Sequence, residues 1–370
     1  MRSGRVVIAL VLAVVSLFWL SSEKAGDPEA CYVVPLPGEC GTCPVPPEPL
    51  QKGGRLLGIG ITGAGDGEYV AAFEQAMELG AGFVELPLAW DDLEPEPGQY
   101  DDTLLDAAND LYAAHDTKVA LTLMPVDTVA LRVPADLANR PFDDREVVSR
   151  FDSLLEHVLG QLPDVDVFVL SIGNEVDAYL SGEEWLQYES FLQQTAQHAR
   201  ELRPEMKVGV KLRFVAVTES TVDQCRALNE HCDAVLLTYY PVNEDFTVRQ
   251  PWSVDDDLGE VVELYPGSEF MLLECGYPSG QLVGSSEEMQ AQFVSYAWAA
   301  WDHRALWLRA MSFAWLYDAS PEELERLSAY YDSDDERFLE FVATRGLLTH
   351  EGETKAAFDS LSTELRMRGW

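Results

Sequence analysis

Basic residues are scarce in this sequence. Lys and Arg number 25 against 64 Asp and Glu, a formal charge of −39 over 370 residues. A surface of that sign repels the phosphates of nucleic acid and the anionic face of a membrane, so nucleic-acid binding is excluded. Histidine is scarce too: His115, His157, His198, His231, His303 and His350 fall singly, with no H-x-H or H-E-x-x-H pair to hold zinc. There is no G-x-S-x-G elbow and no P-loop, and the glycines at 63, 65 and 67 lack the G-x-G-x-x-G spacing that seats a dinucleotide. No metal and no cofactor is implied. What is plentiful is apolar: 47% of residues are hydrophobic, enough for a sizeable core and too many for extended disorder.

The one long apolar run, residues 6–20, follows a basic start, Met-Arg-Ser-Gly-Arg. It falls short of the ~20 residues that cross a bilayer, which favours a cleaved secretory signal over an N-terminal anchor. Residues 1–25 are therefore expected to export the chain or, failing cleavage, to anchor it. Any membrane contact is expected only there. Residues 26–54 read as a linker stiffened by proline and carrying Cys31, Cys40 and Cys43. Outside the cytoplasm a local Cys40–Cys43 disulfide is the natural reading of that pair, and Cys225 and Cys232 are close enough in sequence to form another.

From residue 55 to 370, short apolar runs alternate with longer amphipathic stretches, the pattern of parallel strands covered by helices. The runs lie at 56–62, 83–90, 119–124, 167–172, 208–214, 234–240, 270–274 and 311–316. Each interval holds a strand, a helix and two loops, and eight such units predict a (β/α)8 barrel. One helix is expected over 183–203, with Trp185, Leu186, Phe191, Leu192 and Ala196 on its apolar face and Pro204 as its stop.

A barrel carries its chemistry where its strands end. The fourth run ends in Asn174-Glu175 and the seventh in Glu274-Cys275-Gly276-Tyr277. Two carboxyl groups flanking one bond are what glycoside hydrolysis needs, one protonated and one ionised. Cys275 points away from Glu274 by alternation and reads as a buried thiol. Aromatic residues that could offer a face to a sugar ring, Trp90, Tyr240, Tyr277 and Trp315, fall at other strand ends.

The sequence resembles clan A of the glycoside hydrolases, whose barrels carry Asn-Glu ending the fourth strand and a second Glu ending the seventh. The segment 90–100, with Trp90, Glu94, Pro95, Gly98 and Tyr100, is similar to the clan's W-x-x-x-E-P-x-x-G-x-Y, and the segment 346–355 to its approach to the last helix. The resemblance implies a retaining enzyme acting on a β-linked poly- or oligosaccharide. In it Glu175 would be the general acid/base, Glu274 the nucleophile and Asn174 a partner of the sugar 2-hydroxyl. Tyr240 would hold the nucleophile, and Trp315 would floor the sugar site.

Two departures leave a glycan-binding barrel without catalysis as the alternative. Where the clan often has an Arg on the second strand, this chain has Glu85, so the charge that holds Glu274 ionised would have to come from Arg132, Lys211 or Arg213. Asn174-Glu175 is followed not by Pro but by Val176-Asp177, and Asp177 would bind sugar or cap the next helix.

Overall fold

A computed structural model describes residues 48–61, 69–219 and 221–370. The signal or anchor segment, Cys31, Cys40, Cys43 and the glycines at 63–67 lie outside the described residues. Among the described residues no helix is long and apolar enough to cross a membrane.

Eight parallel strands form the barrel: β1 Leu56–Ile59, β2 Phe83–Ala89, β3 Lys118–Asp127, β4 Val167–Asn174, β5 in two segments Lys207–Gly209 and Lys211–Arg213, β6 Val235–Tyr239, β7 Phe270–Cys275 and β8 Leu308–Phe313. Each begins within three residues of its expected start. The sheet closes because β1 pairs with β8, Leu56 opposite Ala310, while the two halves of β5 pair with β4 on one side and β6 on the other. A two-residue ribbon, Ala130–Leu131, folds back antiparallel on the end of β3.

Strands buried on both faces read as unbroken apolar runs, and their alternate residues split between two cores. Phe83, Ala120, Val169, Leu236, Met271, Leu273 and Ala310 fill the barrel interior. Space there is tight: a Cβ on Gly58 would come within 2.5 Å of the Phe83 ring. The opposite faces pack against the helices in the larger cluster. The helix Arg145–Gln161, capped by Asp144, presents Val147, Val148, Phe151, Leu154, Leu155 and Val158 at helical spacing. The helix Glu184–Leu202 ends where Pro204 requires, but its buried face is Trp185, Tyr188, Phe191, Leu192 and Ala196. Leu186 points to solvent at 70% exposure.

Beside the start of β1 a buried charged cluster ties the strand to two of the covering helices. Asp302 accepts Arg55 at 2.6 Å and Arg368 at 2.7 Å, and Arg368 also pairs with Glu364. The Arg55 guanidinium lies over Trp301 and Trp370, and Arg368 over Trp298. Cys225 and Cys232 do not pair. Both are free thiols, Cys225 donating to Thr221 Oγ1 and Cys232 to the Leu228 carbonyl, which corrects the expected bridge.

Asp302 is the shared acceptor of two buried cations, so Asp302→Asn should destabilise the fold by about 3–5 kcal/mol, the cost of leaving buried charge uncompensated. Urea unfolding of the two proteins measures the difference.

Candidate active site

The carboxyl ends of β4, β6 and β7 assemble the site. In β7 the register slips by one residue: Leu237 of β6 faces Leu272, but Thr238 faces Glu274. This β-bulge re-aims the chain. Leu273 stays in the barrel interior, Glu274 turns into the mouth beside it, and Cys275 returns to the helix-side core. Glu274 Oε1 then accepts Lys211 Nζ at 3.0 Å, and Oε2 accepts the Tyr240 hydroxyl at 2.8 Å. The same Lys211 ammonium donates to Glu85 Oε1 at 2.7 Å. Lys211 is the residue that supplies the charge missing from β2, and Arg132 is instead spent on Asp91 and Asp92.

Glu175 arrives differently. Gly173 takes φ +94°, where any Cβ would strike Tyr188 and Val176 at 2.4 Å, and Glu175 itself adopts left-handed backbone, φ 45° and ψ 43°. A non-glycine residue there is strained, and such strain gathers at functional sites. Glu175 Oε1 accepts Thr238 Oγ1 at 2.6 Å and Oε2 accepts Thr128 Oγ1 at 3.3 Å. Thr238 and Tyr240 are alternate residues on one face, so β6 holds one carboxyl group with each.

The two carboxyl groups are driven apart electrostatically. Burial, reinforced by the charges of Glu274 and Asp177, pushes Glu175 up to about 7. Burial acts on Glu274 as well, but the Lys211 ammonium and the Tyr240 hydrogen bond outweigh it and hold this carboxyl below its ordinary value. One group therefore keeps a proton at a pH where the other is ionised.

Neighbouring residues complete the rim. Asn174 donates to Asp127 Oδ1 at 2.8 Å, while its own side-chain oxygen is buried and has no hydrogen-bond partner among the described residues. Asp177 neither faces the mouth nor caps a helix. Its carboxylate, with no exposed surface, accepts the Arg213 backbone N–H at 2.9 Å and Nε at 2.7 Å. Trp315, joined to Ala314 by a cis peptide bond, is half-buried at the end of β8.

Trp90 and Tyr277 are not brought to the open mouth. Trp90 is fully buried, donating its indole N–H to Glu94, which also accepts Gly98 N and Arg150. Tyr277 is 1% exposed, stacks on Phe293 and donates to the Arg249 carbonyl. Side chains without exposed surface offer no face to a sugar, so both are packing residues in this structure.

Five rim residues carry no signal in the strand pattern. Asp127 and Thr128 lie at the end of β3, and Tyr330, Tyr331 and Arg345 come from the segment after β8. The helix Pro321–Tyr331 reaches across the mouth, where Tyr330 donates to Asp127 Oδ2 at 2.7 Å and the Tyr331 hydroxyl meets Thr128. From the following helix, Glu336–Ala343, Phe341 packs edge-on to Tyr240 at 5.5 Å. Arg345 then lays its guanidinium over Tyr240 at 4.8 Å and Trp315 at 5.6 Å. Only Arg345 had a marker in the sequence, since it directly precedes Gly346-Leu347-Leu348. Among the described residues no cluster of three His, Cys, Asp or Glu suits a metal ion.

Thr238 stabilises the charged form of Glu175, so Thr238→Val should raise the Glu175 carboxyl by about one pH unit, as expected for one charge-assisted hydrogen bond of ~1.5 kcal/mol. Carboxyl carbon NMR of labelled protein, titrated with and without the substitution, reads that change.

No protein-family model and no curated protein matches the sequence. Solved structures do match. An exo-β-1,4-mannosidase, Op5Man5 from Opitutaceae bacterium strain TAV5, superposes with a TM-score of 0.64 at 16% identity over 85% of this chain. The chain spans 59% of that protein's length. GH5_18 from Streptomyces cattleya, in complex with GlcNAc, gives a TM-score of 0.66 at 14% identity, covering 87% of this chain and 81% of the other. A variant of GH5_18 from Bifidobacterium longum subsp. longum ATCC 55813, in complex with Manb1-4GlcNAc, gives 0.65 at 13% identity, covering 84% and 77%. At such identities the likeness is one of fold: the chain folds as a (β/α)8 barrel, as these glycosidases do.

Proposed function

We propose that the protein is an exported retaining glycoside hydrolase that cleaves a β-linked oligo- or polysaccharide, with β-mannosides the first class to test. The observation that carries this reading is the opposite displacement of two carboxyl groups in one mouth, Glu175 up to about 7 and Glu274 below its ordinary value. In the first step the Glu274 carboxylate attacks the anomeric carbon while the Glu175 carboxylic acid passes its proton to the departing glycosidic oxygen. A covalent glycosyl ester on Glu274 results. In the second step Glu175, now a carboxylate, takes a proton from water as that water attacks the same carbon, and Glu274 leaves restored. Tyr240 and Lys211 stabilise the carboxylate that attacks and is later released. Trp315 would lie under the sugar, and Asn174 would be free to turn its unpartnered oxygen toward a sugar hydroxyl. The β-mannoside preference takes its support from two fold neighbours, an exo-β-1,4-mannosidase and a GH5_18 variant in complex with Manb1-4GlcNAc. Export takes its support from the apolar run at 6–20.

Azide separates the two roles. In Glu274→Ala it should attack from the vacated face and give a glycosyl azide of inverted configuration. In Glu175→Ala it should intercept the ester and give the retained one. Swapped products would reverse the assignment, and a wild type that turns over no activated aryl β-glycoside, mannoside included, sinks the enzyme reading.

Trp315→Ala should weaken glycan binding by about 1–3 kcal/mol with the barrel still folded. Calorimetric titration with a β-linked oligosaccharide, on a variant whose circular dichroism matches the wild type, makes the comparison. Unchanged affinity would leave Trp315 a packing residue.

A further inference from the structure

Lys211 is 2% exposed and serves two carboxyl groups, Glu85 at 9% and Glu274 at 13% exposure. One ammonium between two carboxylates leaves a net negative charge in a place with little water, so the arrangement favours taking up one proton. We propose that Glu85 is the carboxyl group that carries this proton, sparing Glu274. This rests on the reading of Glu274 as nucleophile and makes Glu85 a positioning residue that acts through Lys211.

The distribution of donors decides between the two. Glu274 has Lys211 on one oxygen and the Tyr240 hydroxyl on the other, and it feels the Arg345 guanidinium from the segment after β8. Among the described residues Glu85 has Lys211 alone. The groups facing the pair are thus Lys211 from β5, Tyr240 from β6, Arg345 from the rim, and Glu175 from β4, whose negative form adds to the pressure for a proton. Three of these four favour charge on Glu274, and of them Glu85 shares only Lys211 directly. Burial, opposed by Lys211 and assisted by Glu274, accordingly pushes Glu85 up to about 7 while Glu274 moves down. As pH falls through neutrality, Glu85 is neutralised first and the whole Lys211 charge passes to Glu274. A fixed Arg on β2 could not redistribute charge in this way; a Lys and a carboxyl group can.

Two measurements test this on the full protein. In the infrared, Glu175→Gln removes the other proton-holding carboxyl group of the mouth, and a protonated-carboxyl stretch titrating near pH 7 should remain. It should vanish in the double variant E175Q/E85Q. Absence of the band in E175Q, or its survival in the double variant, overturns the proposal, and the first of these needs no substitution at Glu85. The second measurement is the acidic limb of kcat/KM on an activated aryl glycoside. Because Glu85 is already neutral there, Glu85→Gln should leave the limb where the wild type has it, and Lys211→Met should move it up by about a pH unit or more. A downward move on the order of one pH unit in E85Q would show Glu85 charged throughout and overturn the proposal. The infrared arm uses no substrate, so its failure is distinct from failure of the glycosidase reading, which shows as a wild type without turnover.

Discussion

Lys211 sits inside a closed barrel with almost no exposed surface, and a lone ammonium there would be too costly to keep. Its charge survives because two carboxyl groups flank it: burial pulls the ammonium down, and Glu85 and Glu274 together outweigh that and raise it above its ordinary value. That requirement fixes much of the mouth. β5 must deliver Lys211 inward, β2 must supply Glu85 at the same level, and β7 must bulge so that Glu274 meets the ammonium beside Leu273. Without the bulge, strict alternation would send Glu274 toward the helices once Leu273 faced in.

The strand frame was legible because it rests on hydrophobic periodicity, which burial on both faces makes strong. The exception shows the rule: β8 was expected from 311 and begins at 308, because the exposed Arg309 interrupts the apolar run between Leu308 and Ala310. The paired glutamates were legible for the related reason that a carboxylate ending an apolar strand stands out. Which cation served them was not, since Arg132, Lys211 and Arg213 look alike in a string of letters, and only register distinguishes them. Trp90 and Tyr277 misled because an indole or phenol at a strand end can turn inward when a buried acceptor awaits it, Glu94 for one and the Arg249 carbonyl for the other.

The rim was least visible. Its contributors lie on the segment after β8, which the strand-helix count leaves as an interval with no barrel role, and at the end of β3. Their contacts are long-range by nature: Tyr330 and Asp127 stand 203 positions apart. The consequence is geometric. The crossing from β8 to β3 sets an aromatic and cationic wall against Tyr240 and Trp315, so part of the mouth is bounded by residues no strand pattern could assign to it.

Two buried charge clusters answer the problem of buried charge in opposite ways. Beside the start of β1, Arg55 and Arg368 face Asp302 and Glu364, so cations and anions match. At the mouth, Lys211 and Arg345 face Glu85, Glu175 and Glu274, so the acids are in excess. A proton must then reside among them near neutrality, and the surrounding hydrogen bonds decide where. Glu274 is held ionised by Lys211 and Tyr240, which leaves Glu85 and Glu175 as the groups able to hold a proton. Of these two, only Glu175 stands on strained left-handed backbone, at the carboxyl end of β4. The same excess of acid that costs stability there makes a proton available where a glycosidic oxygen would need one.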